Sequence, residues 1–276
     1  MPEPLAWSGW PSGGHTRPVS SVTGQVIEIG GHRTRFVQSG QGPDVVVLHG
    51  WGGRIESMGP VSNCLAGAFR VTAIDLPDFG ESPTPSGVWG TSDYAAFVRD
   101  LLTELGIQRA HLVGHSFGGM TSLYLAAVHG DLVDKLVLAA PSGVRTPPST
   151  RARARKALAK TGRAAGALGP PGRRLKQAVY DRLGSDDYKQ AGPMQPILVR
   201  VVNEDVSPLL GRIASSTLVV WGANDEAVPL AGMRKMEQLM PDAGLVVFED
   251  AGHFAYLDDT SRFCRVVRHF LGSPLA

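Results

Sequence analysis

The chain has 276 residues, 43% hydrophobic and 19% charged, enough for one large α/β domain or a domain with an insertion. That balance excludes a chain disordered throughout, and a formal charge of +2 gives no global signal for a nucleic-acid partner. Residues 1–22 are rich in Pro, Gly, Ser and Trp and lack a basic start followed by an apolar run, so they read as a flexible arm rather than a signal peptide. Trp7 and Trp10 could tuck this arm onto the body. No stretch is long and apolar enough to span a bilayer, so no stable membrane insertion is expected. Cys64 and Cys264 each sit in an apolar helical pattern. They are expected to pack as small hydrophobes, which points to a reducing compartment and a cytoplasmic protein.

In chain order, Gln25–Ile29 and Thr34–Val37 flank Gly30-Gly31 and predict a β-hairpin. Val45–Leu48 is a solid apolar run, as in a parallel strand buried on both faces, and His49-Gly-Trp-Gly-Gly53 follows it directly. A helix is expected over Met58–Ala68, then a strand at Val71–Ile74 and a loop, Asp75-Leu-Pro-Asp-Phe-Gly-Glu-Ser82. Ser92 or Asp93 can cap a helix running to Leu105. Ala110–Val113 reads as a strand, Met120–Val128 as a helix and Lys135–Ala139 as another strand. The strand pattern returns at Thr217–Trp221 and Gly244–Phe248, and Thr260–Leu271 closes the chain as a helix. Short apolar strands alternating with amphipathic helices predict an open, mostly parallel sheet with helices on both faces.

Between Ala110–Val113 and the following helix lies Gly114-His-Ser-Phe-Gly118, a G-x-S-x-G sequence between strand and helix. This is the setting of a nucleophile elbow, in which the turn forces strained backbone angles on Ser116 while the glycines let neighbouring backbones pass. The following helix N-terminus favours a developing oxyanion. A plainer reading makes Ser116 a helix N-cap.

A serine nucleophile needs a base, and the base needs an acid to hold its tautomer. Asp225 and His253 each fall in a loop just after a buried strand, in the order nucleophile, acid, histidine. In an open sheet such loops share one edge, so Ser116, Asp225 and His253 should converge. Asp225 alone could be a turn residue. Asp250 and Asp258 lie near His253 but would have to bend back to reach its ring. His115 should point away from the serine hydroxyl, and His49 reads as a brace for the loop that follows it. The backbone N–H groups of Trp51 and Phe117 are the candidate oxyanion hole.

Together these motifs resemble the α/β-hydrolase superfamily, over roughly Gln25 to Leu271. The resemblance implies an eight-stranded sheet with a helical cap inserted after strand 6. It divides the chain into a core, 23–143 and 207–276, and a cap, 144–206. The family tends to have glycine at the place of Asp78. It includes aspartate-nucleophile branches, which Ser116 excludes, and meta-cleavage C–C hydrolases, which often carry Trp where this chain has Phe254. The expected function is a cofactor-free, metal-free serine hydrolase of a carboxylic ester or thioester, with a small-molecule acyl substrate. The alternatives are a C–C bond hydrolase with the same triad, a lyase or cofactor-free peroxidase on this scaffold, and a non-catalytic binding protein.

From Val144 to Arg200 there are 13 Lys and Arg against 3 Asp, so this insert carries +10 and the remainder −8. A basic helix is expected over about Arg151–Leu168. Three readings follow: a solvated lid, a helix lying on an anionic membrane surface, or a field that draws anionic substrates.

Overall fold

The computed structural model describes residues 24–146 and 191–272. The expected arm, the basic helix and most of the expected cap lie outside the described residues. Eight strands form one sheet: β1 (Gln25–Ile29), β2 (His32–Ser39), β3 (Asp44–Leu48), β4 (Arg70–Ile74), β5 (Ala110–His115), β6 (Val133–Ala139), β7 (Ser216–Gly222) and β8 (Ala243–Phe248). Their order is β1-β2-β4-β3-β5-β6-β7-β8. Only β2 runs against its neighbours; every other pair in the sheet is parallel. The β1–β2 hairpin turns through Gly30 and Gly31, both at positive φ (56° and 82°), where a side chain would be strained.

The apolar runs read from the sequence are continuous because both faces of the sheet are covered. Along β3, Val46 and Leu48 join one core, and Val45 and Val47 join the other. The same alternation holds in β7, with Val219 and Trp221 on one side and Leu218 and Val220 on the other. Helices α2 (Thr91–Glu104) and α3 (Phe117–Val128) close the first face, with α4 (Gln195–Asn203) and α5 (Leu230–Leu239). The second face is closed by α1 (Gly59–Leu65), the short α6 (Ala255–Asp258) and α7 (Thr260–Leu271). Helix α7 places Phe263, Val267 and Leu271 at four-residue spacing in the core, starts on Asp259, which accepts the Arg262 N–H at 2.9 Å, and stops at Gly272 in the left-handed region.

Two helix starts differ from expectation. The first helix is split into a 3-10 turn, Ile55–Met58, and α1, because Pro60 suits a helix start and not an interior. Helix α2 begins after Gly90 rather than Ser92 or Asp93. Asp93 sits three residues in and accepts the Gly90 N–H at 2.7 Å, while Glu204 accepts the Thr91 N–H at 2.8 Å. A carboxylate at the far end of α4 therefore satisfies an orphan donor of α2 and fastens α4, within the expected cap, to the core.

The cysteines are a correction. Cys64 and Cys264 are joined in a disulfide, with Cα atoms 6.1 Å apart. Each does lie on an apolar helix face, but α1 and α7 pack together and bring the two faces into contact. The argument for a reducing compartment falls with this bond. Among the described residues, no helix is long and apolar enough to cross a membrane.

The bond spans 200 residues of sequence, so it removes much of the freedom of the unfolded chain, typically about 2–5 kcal/mol. Replacing both Cys64 and Cys264 by Ser should lower the denaturant midpoint. A reductant should shift the parent protein in the same direction and leave the double variant unmoved, read by equilibrium unfolding.

Candidate active site

The sheet reverses its strand order at β3 and β5. The chain goes from β3 outward to β4 and then returns to the other side of β3. At this switch point Leu48 pairs with Gly114, so the loops after β3 and β5 leave the sheet edge side by side. The second loop is the elbow. Ser116 has φ 48° and ψ −107°, a sparsely populated region that typically costs about 1–3 kcal/mol. Bonds on both sides hold it there: its N–H donates to Ala139 O at 3.0 Å, and its carbonyl accepts from Met120 and Ser142.

The glycines are demanded by contact. A β-carbon on Gly114 would lie 2.6 Å from the backbone of Gly118, and one on Gly118 would lie 2.4 Å from Leu48 O. The helix can therefore start tight against the strand ends, with Phe117 in its first position. An N–H there has no acceptor within the helix.

Across from it, the loop after β3 closes through Gly53 N–H to Gly50 O at 3.0 Å, with Gly52 at φ 70°. This turn leaves the Trp51 N–H outside its own bonding. A β-carbon on Gly50 would lie 3.4 Å from Ser116 Cβ, so the loop passes directly beside the serine. The Trp51 ring stands edge-on to Phe79 and Phe117, at 5.1 and 5.7 Å between centroids.

His49 braces this loop, as its place in the sequence suggested. Its Nε2 accepts the Leu76 N–H at 3.0 Å, so the proton sits on Nδ1, which donates to Gly50 O at 2.8 Å. Burial lowers its pKa, which favours this neutral form. Sequence reasoning missed a second brace, Asp75, which opens the loop Asp75–Ser82. Its carboxylate is fully buried and accepts from Ile55 N at 2.7 Å and Glu81 N at 3.0 Å, with Arg35 at 3.5 Å. A carboxylate directly after four buried strand residues was the available signal, since such a charge must be paired. Asp78, where the family tends to have glycine, has φ 76°, a conformation that aspartate tolerates better than most residues.

Asp225 and His253 meet. His253 Nδ1 lies 2.8 Å from Asp225 Oδ2, and the Asp225 side chain is fully buried. Its other oxygen accepts the N–H groups of Ala227 at 2.7 Å and Val228 at 2.9 Å. The loop after β8 folds back over β7, where a β-carbon on Gly222 would lie 2.2 Å from Gly252 O. Asp258, a rival acid by sequence, instead accepts the Gly252 N–H at 2.8 Å and steadies the loop carrying His253. His253 reaches the elbow: its ring lies 4.8 Å from that of His115, and its carbonyl lies 3.1 Å from His115 Nε2. The described residues hold no group of three or more His, Cys, Asp or Glu arranged to bind a metal.

The sequence model of the alpha/beta hydrolase family matches residues 45–266. The chain belongs to that family. Among curated relatives of this hydrolase, a pimeloyl-[acyl-carrier protein] methyl ester esterase of Chromobacterium violaceum is 32% identical, over 86% of this chain and 97% of the relative. A 2-hydroxy-6-oxo-6-phenylhexa-2,4-dienoate hydrolase of Comamonas testosteroni is 30% identical, over 86% of this chain and 90% of the relative. The crystal structure of a hydrolase from Pseudomonas aeruginosa PA01 superposes on the fold with a TM-score of 0.71 at 22% identity, covering 92% of this chain and 100% of that one.

Three buried histidines of this hydrolase couple its stability to pH. Burial is the first cause of lowered pKa values at His49 and His111, and it pushes His115 down to about 3. On unfolding, each ring regains a pKa of about 6.5 and takes up a proton that the folded state refuses. Their contribution is present above pH 6.5 and is lost as pH falls toward about 3, the value for His115. Unfolding free energy should therefore drop between pH 7 and pH 4, by about 1.4 kcal/mol per pH unit for each proton taken up. Denaturant titrations across that range read the slope directly.

Proposed function

We propose that this hydrolase cleaves a carboxylic ester or thioester through an acyl-enzyme on Ser116, with His253 as base and Asp225 as its acid. The carrying observation is the Asp225–His253 bond at 2.8 Å, made by a buried carboxylate, with the His253 ring 4.8 Å from that of His115, the residue before the strained serine. His253 takes the proton as Ser116 Oγ bonds to the acyl carbon. The Trp51 and Phe117 N–H groups receive the oxyanion, each such donor being worth about 3 kcal/mol. His253 then returns the proton to the leaving alcohol or thiol as the C–O or C–S bond breaks. Water, deprotonated by the same ring, releases the acid and restores Ser116. Asp225 keeps the proton on His253 Nδ1 throughout, and its two backbone donors keep its carboxylate in place. The esterase relative supports the ester reading.

The dienoate hydrolase relative favours a second reading, in which the same residues act on a C–C bond next to a ketone. Phe254, in place of the Trp often found in that branch, weighs toward the ester. A panel of aryl esters run beside a 2-hydroxy-6-oxo-dienoate separates the two by which is turned over. In either case Ser116→Ala should abolish turnover and fluorophosphonate labelling. Asp225→Asn should keep the fold and lower kcat by about 10⁴-fold, as in serine proteases. A larger loss from Asp258→Asn or Asp250→Asn would reassign the acid.

The basic insert, 144–206 as a cap, adds a substrate preference to this proposal. Its +10 charge between Val144 and Arg200 fits attraction of an anionic ester toward the site. An ester with a free carboxylate should then exceed its neutral analogue in kcat/KM at low salt. The advantage should fade as the screening length falls from about 10 Å at 0.1 M to about 3 Å at 1 M. Reversing Arg151, Arg155 and Arg163 to Glu should erode it too, leaving the neutral ester nearly untouched. Equal rates for the two esters at low salt would leave the insert as a solvated lid. These residues lie outside the described ones, so the test rests on charge alone.

A further inference from the structure

His115 has no place in the triad, yet it is buried between the two loops that the reaction uses. Its Nε2 lies 3.1 Å from the carbonyl of His253, and a carbonyl can only accept. The imidazole proton is therefore on Nε2, and Nδ1 is bare. Burial pushes its pKa down to about 3, so the ring stays neutral at working pH. On the opposite edge, a β-carbon built on Gly50 would lie 2.6 Å from His115 Nδ1. The ring thus touches the oxyanion loop on one side and donates to the base-bearing loop on the other. Phe254 and Tyr256 pin it in place, each 5.0 Å away between centroids. A small open cleft, with room for about one water, lies there, lined by Gly50, Trp51, Gly52, His115 and Phe254 among others.

We propose that His115 is a positioning residue for the hydrolytic reaction: its neutral imidazole spaces the oxyanion loop from the His253 carbonyl and so sets where the base meets Ser116. The proposal rests on the triad reading above. The physical stake is alignment, since a misplacement of about 1 Å at a reacting centre can cost about 100-fold in rate. Chain connectivity makes the coupling direct. His115 is bonded to Ser116 on one side and hydrogen-bonded to the residue carrying the base on the other, so a shift of its ring changes the distance between nucleophile and base.

The test is a set of replacements assayed with a small aryl ester and by the rate of fluorophosphonate labelling. His115→Phe keeps a ring and loses the donor. His115→Gln can bring an amide N–H to the Nε2 position, whereas the shorter His115→Asn reaches only the Nδ1 position. The expected result is a kcat about 10- to 100-fold lower in the Phe and Asn variants, with KM little changed and labelling slowed in parallel. The Gln variant should recover most of the loss. Parent-like kcat in the Phe variant, or equal activity in the Gln and Asn variants, would overturn the proposal; the second comparison holds even if the Phe variant does not fold. Ser116→Ala run alongside separates the two ideas: activity surviving there would overturn the triad reading and this proposal with it.

Discussion

The site depends on one pairing, that of β3 with β5. These strands run parallel with Leu48 opposite Gly114, so two loops that bend away from the sheet begin at the same height and a strand's width apart. Strand spacing is about 4.8 Å, which leaves no room for a side chain between loops that must also touch. The result is a set of positions at which no β-carbon fits: Gly50, Gly114 and Gly118 each meet a neighbour at 2.6 Å or less. Strain at Ser116 follows from the same geometry. A chain that must leave a strand and enter a helix within one residue has no relaxed conformation for that residue.

Strain of this kind persists only where the surroundings outweigh it. Here the counterweight is a double layer. Beneath the elbow, the strands bury Leu112, Val113, Leu136 and Val137 completely. Around it, polar groups are held singly and fully: His49 by both ring nitrogens, Asp75 by backbone donors and an arginine, Asp225 by two N–H groups and a histidine. Each gives two of its bonds to loop backbone, so the loops gain rigidity from these side chains.

The parts legible in the sequence were those with a short-range cause. Strand runs, the elbow and Asp225 before His253 each reflect a local demand of burial or turn geometry, and the structure brings the last two together. The helix starts at Pro60 and Gly90 were less legible, because Asp93 and Ser92 both have the chemistry of a cap and only the backbone path decides which position they take. Glu204 at the start of α2 could not be read at all: its partner is Thr91, separated by 113 residues. The disulfide escaped for the same reason. Cys64 and Cys264 look like ordinary apolar-face residues until the packing of α1 on α7 is known.

That disulfide has a consequence for how the chain comes apart. It closes a covalent ring from residue 64 to residue 264, and Ser116, Asp225 and His253 all lie inside it. A single cut by a protease anywhere in that ring yields two fragments that stay joined. A nicked molecule would run as one band on a denaturing gel until a reductant is added, and it would keep its nucleophile and base on one covalent body.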